Sequence, residues 1–189
     1  MTSVAALLHS ANDLALEDSR RDAEILLCHC LNKDRAWLYT WPEAQVAQVQ
    51  ARQFYDMLQA RGRGTPIAYL TGSREFWSLD LEVNQHTLIP RPETETLVEW
   101  ALELSIARDA RVLDLGTGSG AIALALASER PDWHVSGVDV SAAALDVASR
   151  NRAALKLDNV SFQVSNWYCA VIGQYHLLVS NPPYIEQSD

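Results

Sequence analysis

The sequence predicts an α/β protein in which a small helical domain precedes a parallel sheet. Three observations support this prediction. The first third carries apolar residues at helical spacing, the stretch from Arg111 onward alternates short apolar runs with helical segments, and nearly half of the 189 residues are apolar. Strands that alternate with helices favour parallel βαβ units with right-handed crossovers. A chain of this length and composition can bury a core of its own.

The N-terminal domain, residues 1–74, is predicted to be a helical bundle. A helix from Ser19 places one apolar face inward, made of Ala23, Leu26, Leu27, Cys30 and Leu31. A second helix from Glu43 carries a broader stripe, made of Val46, Val49, Tyr55, Met57 and Leu58. Gly62 and Gly64 are expected to end that second helix.

A hairpin linker is predicted at residues 75–88, because apolar and polar residues alternate between Phe76 and Val83. Pro90 and Pro92 then favour an extended entry into a new amphipathic helix, which begins the second domain at residues 89–189. In that domain the predicted strands read RVLDLG, HVSGVDV, VSFQV and HLLVS, and the helices between them read SGAIALALASER and SAAALDVASRNRAALKL.

Charge and cysteine content disfavour several kinds of protein. The formal net charge of −9 disfavours nucleic acid as a direct substrate, since binding to phosphates depends on Lys and Arg. Cys28, Cys30 and Cys169 are too few and wrongly spaced for a disulfide framework or a zinc site, so no metal is expected. Without a leader-like start or eighteen consecutive apolar residues, we expect a cytoplasmic protein with no membrane segment.

A glycine-rich turn lies between the first predicted strand and the next helix, with Gly116, Gly118 and Gly120 at alternate positions. Glycines are needed where the backbone turns sharply and a ligand approaches closely. The spacing also fits a dinucleotide fingerprint if Ala121 fills the last position, so the glycines alone leave the cofactor open. Asp114 favours S-adenosylmethionine, because a carboxylate there would repel a pyrophosphate and attract a cationic sulfonium and amino group.

Asp139 ends the next strand, at the separation expected for a carboxylate that accepts hydrogen bonds from ribose hydroxyls. The alternative is a capping role at the helix that begins near Ser141. Because Ser141 can cap that helix itself, we favour the ribose role.

The motif Asn181-Pro182-Pro183-Tyr184 follows the last predicted strand. Prolines hold the turn extended, so the Asn181 side-chain oxygen and the next backbone carbonyl form a rigid pair of acceptors. Two acceptors match one planar NH2 group, and the Tyr184 ring can pack against it. The motif therefore predicts methyl transfer to an amide or arylamine nitrogen by positioning, without a metal or a general base.

The glycine turn DLGTGSG, Asp139 and NPPY together resemble class I S-adenosylmethionine-dependent amino-methyltransferases. The segments RRDAEILLCHCL, GTPIAYLTG and REFWSLDLEVNQHTLIPRPETETLVEWAL are more specifically similar to the protein-(glutamine-N5) methyltransferases of the PrmC/HemK type. This resemblance covers essentially the whole chain. It implies a Rossmann-like methyltransferase domain after a helical domain and a hairpin. It also implies methylation of the glutamine in the Gly-Gly-Gln motif of class I peptide chain release factors.

The resemblance also implies roles for individual residues. The cofactor would contact the turn and the ends of the other three strands through Gly116, Thr117, Gly118, Ser119, Gly120, Asp139, Trp167 and Asn181. Trp167 would pack by the adenine, where Asn166 replaces the acidic residue often found before it in the family. The catalytic residues would be Asn181, Pro182 and Tyr184, and these three together with Pro183 would form the glutamine pocket.

The sheet implied by the resemblance has more strands than the four predicted here, so we expect a truncated sheet with HLLVS as an exposed edge. Two alternatives remain at this point. One is an adenine-N6 or guanine-N2 nucleic-acid methyltransferase, which would use the same pocket. The other is a truncated remnant without catalytic activity.

Overall fold

The computed structural model describes residues 2–11 and 19–182, and the chain divides into two compact units at residues 1–71 and 72–189. The elements of the first unit are β1 (Thr2–Ser3), α1 (Val4–Ser10), α2 (Ser19–Leu31), α3 (Arg35–Thr40), β2 (Gln45–Val46), α4 (Gln48–Gly62) and α5 (Ile67–Thr71). The two short strands pair antiparallel. No helix in the described part of the chain is long and apolar enough to cross a membrane.

Helix α2 confirms the face predicted for it. Four of its five predicted residues are buried, namely Ala23, Leu26, Leu27 and Cys30, and Leu31 packs at the edge of the same core. Residues three and four apart share a helix face, which is why this pattern was readable in the sequence.

The prediction for the second helix was wrong in its start and in part of its face. Helix α4 begins at Gln48, and Val46 lies instead in β2, where it is buried. Val49 is 80% exposed, and the buried positions of α4 are Ala51, Phe54 and Leu58. Spacings of three and four residues place those three on one side, while Val49 lies off that stripe. The predicted end at Gly62 is confirmed.

Two acidic residues of α2, Asp22 and Glu24, are buried beside its apolar face. The sequence pattern did not predict this burial. Glu24 is 2% exposed and accepts hydrogen bonds from Arg35 Nε at 2.9 Å and from the Tyr39 hydroxyl at 2.5 Å. Burial disfavours the charged form, but these donors outweigh it and hold the pKa of the Glu24 carboxyl below its usual value. The carboxylate therefore ties α2 to α3.

Replacing Glu24 with glutamine should lower the free energy of unfolding of the first unit by roughly 2 kcal/mol, because the hydrogen bonds to a charged partner are lost. Hydrogen exchange of the α2 and α3 amides in the full chain measures this change. Arg20→Ala is the control: Arg20 is largely exposed and lies 3.4 Å from Glu24, so its loss should cost less than about 0.5 kcal/mol. Equal effects of both variants would contradict a special role for the buried carboxylate.

The second unit contains a hairpin and a four-stranded sheet with helices. Its strands and helices are β3 (Ser73–Phe76), β4 (Leu79–Glu82), α6 (Glu95–Glu103), β5 (Arg111–Leu115), α7 (Ala121–Glu129), β6 (His134–Asp139), α8 (Ala142–Leu155), β7 (Val160–Val164) and β8 (Leu177–Ser180). A 3₁₀ turn, Pro92–Thr94, leads into α6. The sheet order is β7-β6-β5-β8 with every pair parallel, which confirms the predicted α/β class.

Helix α7 forms the centre of this unit's core. Its first seven residues, 121–127, are all buried, because the helix packs between the sheet and its neighbours. At one edge of the four-stranded sheet, β8 leaves Leu178 about half exposed. An α/β layer of this kind brings the loops after the parallel strands to one edge of the sheet.

Hydrogen bonds and an ion pair connect the hairpin to the helices of the second unit. The Trp77 backbone N–H donates to Glu95 on α6 and its indole Nε1 donates to Glu129 on α7, both at 2.8 Å. At the other end of the hairpin, Glu82 forms a two-point ion pair with Arg150 on α8. The domain limits at residues 74 and 88 stay predictions.

Candidate functional site

The predicted site residues that the structure describes collect at the carboxyl ends of the four parallel strands. The glycine turn follows β5, Asp139 ends β6, Trp167 comes shortly after β7, and Asn181 follows β8 directly. Leu115 and Ser180 are register partners, and the Ser180 hydroxyl donates to the Leu115 carbonyl at 2.8 Å. Asn181 and Gly116 therefore leave the sheet side by side.

The three glycines of the turn have two different structural roles. Gly116 and Gly118 have φ values of +74° and +56°, and a Cβ at either would point into open space. At Gly120, with φ of +84°, a Cβ would come within 3.0 Å of Leu124 and Phe162. The first two glycines thus leave a bare backbone cradle for a ligand, and the third allows close packing of α7.

Asp139 links the glycine turn to the start of α8. Its Oδ2 accepts from the Gly118 N–H and its Oδ1 accepts from the Ser141 N–H, both at 2.9 Å. Ser141 caps α8 with its own hydroxyl, as predicted, by accepting from the Ala144 N–H. A carboxylate has about four lone-pair positions, so Asp139 keeps acceptor capacity for hydroxyl groups beside the cradle.

Asp114 lies fully buried beneath the turn. Its Oδ2 accepts from the Thr117 hydroxyl at 2.6 Å, the Ala123 backbone N–H at the start of α7 also interacts with the carboxylate, and Oδ1 has no hydrogen bond of ordinary geometry among the described residues. Burial raises the pKa of this carboxyl to about 6. A buried carboxylate beneath an open backbone cradle makes the electrostatic potential there negative, which suits a ligand with cationic groups such as S-adenosylmethionine.

The raised pKa of Asp114 predicts a loss of stability as the pH rises. The folded chain holds the proton more tightly than the unfolded chain, so this contribution is complete below pH 3.8 and is lost as the pH passes through about 6. The loss amounts to roughly 3 kcal/mol. Asp114→Asn should lack this slope in urea unfolding between pH 4 and 7, whereas Asp109→Asn, at an exposed position, should keep it. Parallel profiles for wild type and Asp114→Asn would contradict the assignment.

Trp167 is 53% exposed and has a φ of +49°, in the left-handed region that favours glycine. Ser165 supports this conformation, since its hydroxyl donates to the Trp167 carbonyl at 2.7 Å and its backbone N–H donates to the Asp139 carbonyl at 2.9 Å. The ring is thus presented on the strand end next to Asp139. Its role beside an adenine stays a prediction, as does the effect of Asn166, which is exposed.

Asn181 is held by a residue that the sequence reasoning missed. Its Nδ2 donates to the hydroxyl of Thr94, 2.9 Å away and 87 positions earlier in the chain. This bond uses one of the two N–H groups of Nδ2, and no described residue donates a hydrogen bond to the side-chain oxygen, which is an acceptor. Thr94 sits in the segment PRPET, whose prolines were the only signal in the sequence that this region has a fixed backbone.

Asn181 also borders a cavity of about 550 Å³. The lining residues are Leu88, Arg91, Glu93, Thr94, Thr96, Leu97, Trp100, Asn181 and Pro182. This cavity therefore combines a fixed amide, charged groups of both signs and an exposed tryptophan. Pro183 and Tyr184, which were predicted to complete the site, lie outside the described residues. Within residues 2–11 and 19–182, no cluster of three or more His, Cys, Asp or Glu could hold a metal ion.

The parallel sheet, the glycine cradle and the acidic residue at the next strand end define a class I S-adenosylmethionine-dependent methyltransferase domain. Residues 93–189 match the family model of the methyltransferase small domain, and residues 2–72 match that of the PrmC N-terminal domain. The chain belongs to the release factor glutamine methyltransferase family.

Two relatives with that name illustrate the similarity. One from Shewanella oneidensis is 53% identical over 92% of this chain and 61% of its own length, and one from Xylella fastidiosa is 52% identical over 100% and 68%. The chain thus spans about two thirds of the length of the curated relatives it matches. A solved structure, the tRNA (uracil-54, C5)-methyltransferase of Pyrococcus abyssi in complex with S-adenosyl-L-homocysteine, superposes with a TM-score of 0.50. It is 20% identical and covers 59% of this chain and 28% of that one, which shows the shared fold.

Proposed function

We propose that the protein transfers a methyl group from S-adenosylmethionine to the side-chain amide nitrogen of a glutamine in class I peptide chain release factors. The target is the glutamine of their Gly-Gly-Gln motif. Relatives at about half identity carry the name release factor glutamine methyltransferase, which supports this substrate class. The net charge of −9 disfavours a nucleic acid as the substrate.

The observation that carries the proposal is the position of the Asn181 amide. It follows the strand next to the glycine turn, its nitrogen is held by Thr94, and it borders a cavity. A glutamine side chain in that cavity would present two N–H donors, which match the Asn181 oxygen and the Pro182 carbonyl. We include Pro183 and Tyr184 in the same glutamine site on the basis of the family resemblance.

The chemistry requires positioning more than proton abstraction. S-Adenosylmethionine, when bound, supplies a methyl group on a positively charged sulfur, and the transfer leaves S-adenosylhomocysteine and one proton. The amide nitrogen is a weak nucleophile, because its lone pair is delocalised into the carbonyl. Asn181 and the Pro182 carbonyl would hold the two N–H bonds and stabilise the positive charge that develops on nitrogen.

The same proposal assigns the cofactor contacts. The backbone of residues 116–120 would cradle the methionine part, with the buried Asp114 carboxylate below it attracting the cationic groups. Asp139 would accept from the ribose hydroxyls, and the exposed Trp167 ring would pack on the adenine. No residue in this scheme needs a metal.

A methyl-transfer assay tests the proposed function. The chain is incubated with S-adenosylmethionine that carries a labelled methyl group and with a class I release factor, and mass spectrometry locates the label. We expect label on the glutamine of Gly-Gly-Gln and none on a release factor in which that glutamine is alanine. Equal labelling of both release factors would overturn the proposed target.

A further inference from the structure

A buried asparagine on α8 connects the glycine turn to the hairpin. Asn151 is 3% exposed and lies on the face of α8 that otherwise carries the apolar residues Ala144, Val147 and Ala148. A buried amide costs free energy unless its donors and acceptor are satisfied. The hydrogen-bond partners of Asn151 therefore indicate its role.

Asn151 makes three hydrogen bonds to backbone groups of two separate segments. Its Oδ1 accepts from the Glu82 N–H at 2.7 Å, and its Nδ2 donates to the Glu82 carbonyl at 3.0 Å. The second N–H of the same Nδ2 reaches the carbonyl of Ser119, inside the glycine turn, at 2.9 Å. The side chain thus pairs with the end of β4 as a neighbouring strand would, and at the same time holds the turn.

The backbone of the glycine turn depends on hydrogen bonds from outside it to hold one conformation. Three of its five residues are glycines with positive φ, so the backbone has more alternative conformations here than elsewhere. The peptide plane between Ser119 and Gly120 is held on both sides: Asn151 donates to its carbonyl, and its N–H donates to the Thr117 carbonyl at 2.8 Å. That plane begins at Ser119, the residue that follows Gly118, which is one of the two glycines that line the open cradle.

We propose that Asn151 is a positioning residue for S-adenosylmethionine binding. It holds the glycine turn in its binding shape before the cofactor arrives and couples that shape to the hairpin. The inference rests on the proposed role of the turn in binding the cofactor. It assigns to Asn151 no contact with the cofactor or the substrate, because its three polar contacts are all with backbone groups of this chain.

The chain offers a matched control in the adjacent residue. Arg150 anchors the same hairpin residue through its ion pair with the Glu82 carboxylate, at 2.8 and 2.7 Å, and within the described part of the chain it makes no hydrogen bond to the glycine turn. Asn151→Asp keeps the size and the acceptor for the Glu82 N–H but removes both donors. Asn151→Ser is a second variant, neutral and too short to span both segments, in case the buried carboxylate prevents folding.

Two measurements on the full chain test the inference. Calorimetry with S-adenosylhomocysteine should show roughly tenfold weaker binding for the Asn151 variants and less than about twofold change for Arg150→Gln. Hydrogen exchange of the Gly118 and Gly120 amides without cofactor should be faster in the Asn151 variants than in wild type and unchanged in Arg150→Gln.

Several outcomes would overturn the inference. The first is an unchanged affinity for S-adenosylhomocysteine in a folded Asn151 variant. The second is an equal loss of that affinity in the Asn151 and Arg150 variants. The third is unchanged hydrogen exchange at the Gly118 and Gly120 amides. If the wild-type chain bound no S-adenosylhomocysteine, the proposed cofactor site would fail, and the exchange data would still decide whether Asn151 holds the turn. The two failures are therefore distinguishable.

Discussion

Replacing Asn181 with alanine is expected to lower the rate of the proposed methyl transfer by about 10²- to 10³-fold. The substitution removes the side-chain oxygen that would hold one amide N–H of the substrate and stabilise the charge developing on nitrogen. The fold should be retained, because Asn181 is only partly buried and lies beyond the end of β8. Single-turnover methyl transfer to a release factor measures this effect, since it separates chemistry from product release.

Thr94→Val serves as a graded comparison for this prediction. Valine resembles threonine in shape but offers no acceptor to Asn181 Nδ2, so the Asn181 amide keeps its oxygen and loses its orientation. We expect a loss of about tenfold, smaller than that of Asn181→Ala. Gln174→Ala, which removes an exposed amide before the amino end of β8, should leave the rate within about twofold. A wild-type rate in Asn181→Ala would eliminate the acceptor mechanism.

Replacing Asp139 with alanine is expected to weaken S-adenosylmethionine binding by roughly 2 to 4 kcal/mol, which is about 30- to 700-fold. Two effects combine in this loss. The carboxylate would no longer accept from the ribose hydroxyls, and the Gly118 N–H, now 2.9 Å from Oδ2, would lose its partner. Calorimetric titration of the full chain with the cofactor measures the change.

Asp146→Ala is the matched control for Asp139. It removes an exposed carboxylate from α8, close in sequence to Asp139, and so tests the general effect of net charge on a cationic cofactor. We expect a change of less than about twofold. If Asp139→Ala gave the wild-type isotherm while remaining folded, the ribose assignment would be wrong.

The elements of both units were largely predictable because helices and strands leave short-range periodic signals. The four parallel strands, the helices α6, α7 and α8 and the buried face of α2 follow the sequence pattern. The error at α4 has the same origin. Val46 and Val49 are both apolar and three apart, so the pattern placed them on one helix, although Val46 pairs with β1 in the structure.

The candidate site was predictable where a motif is local. The glycine turn and Asn181 each stand at the end of an apolar strand, and parallel strands bring such ends to one edge of the sheet. Asp139 could be selected for the same reason, although its bond to Gly118 could not be foreseen. The contacts of Tyr184 stay predictions.

The sequence by itself determined the α/β class, the parallel strands, the glycine turn and the strand ends at which the site residues stand. Only the tertiary structure decided which side chains hold those residues. Thr94 meets Asn181 across 87 positions, Asn151 joins Glu82 to Ser119, and Glu24 is buried among cations and a tyrosine. The physical reason is that periodicity records burial within one element, whereas a hydrogen bond between distant polar groups depends on how the elements pack.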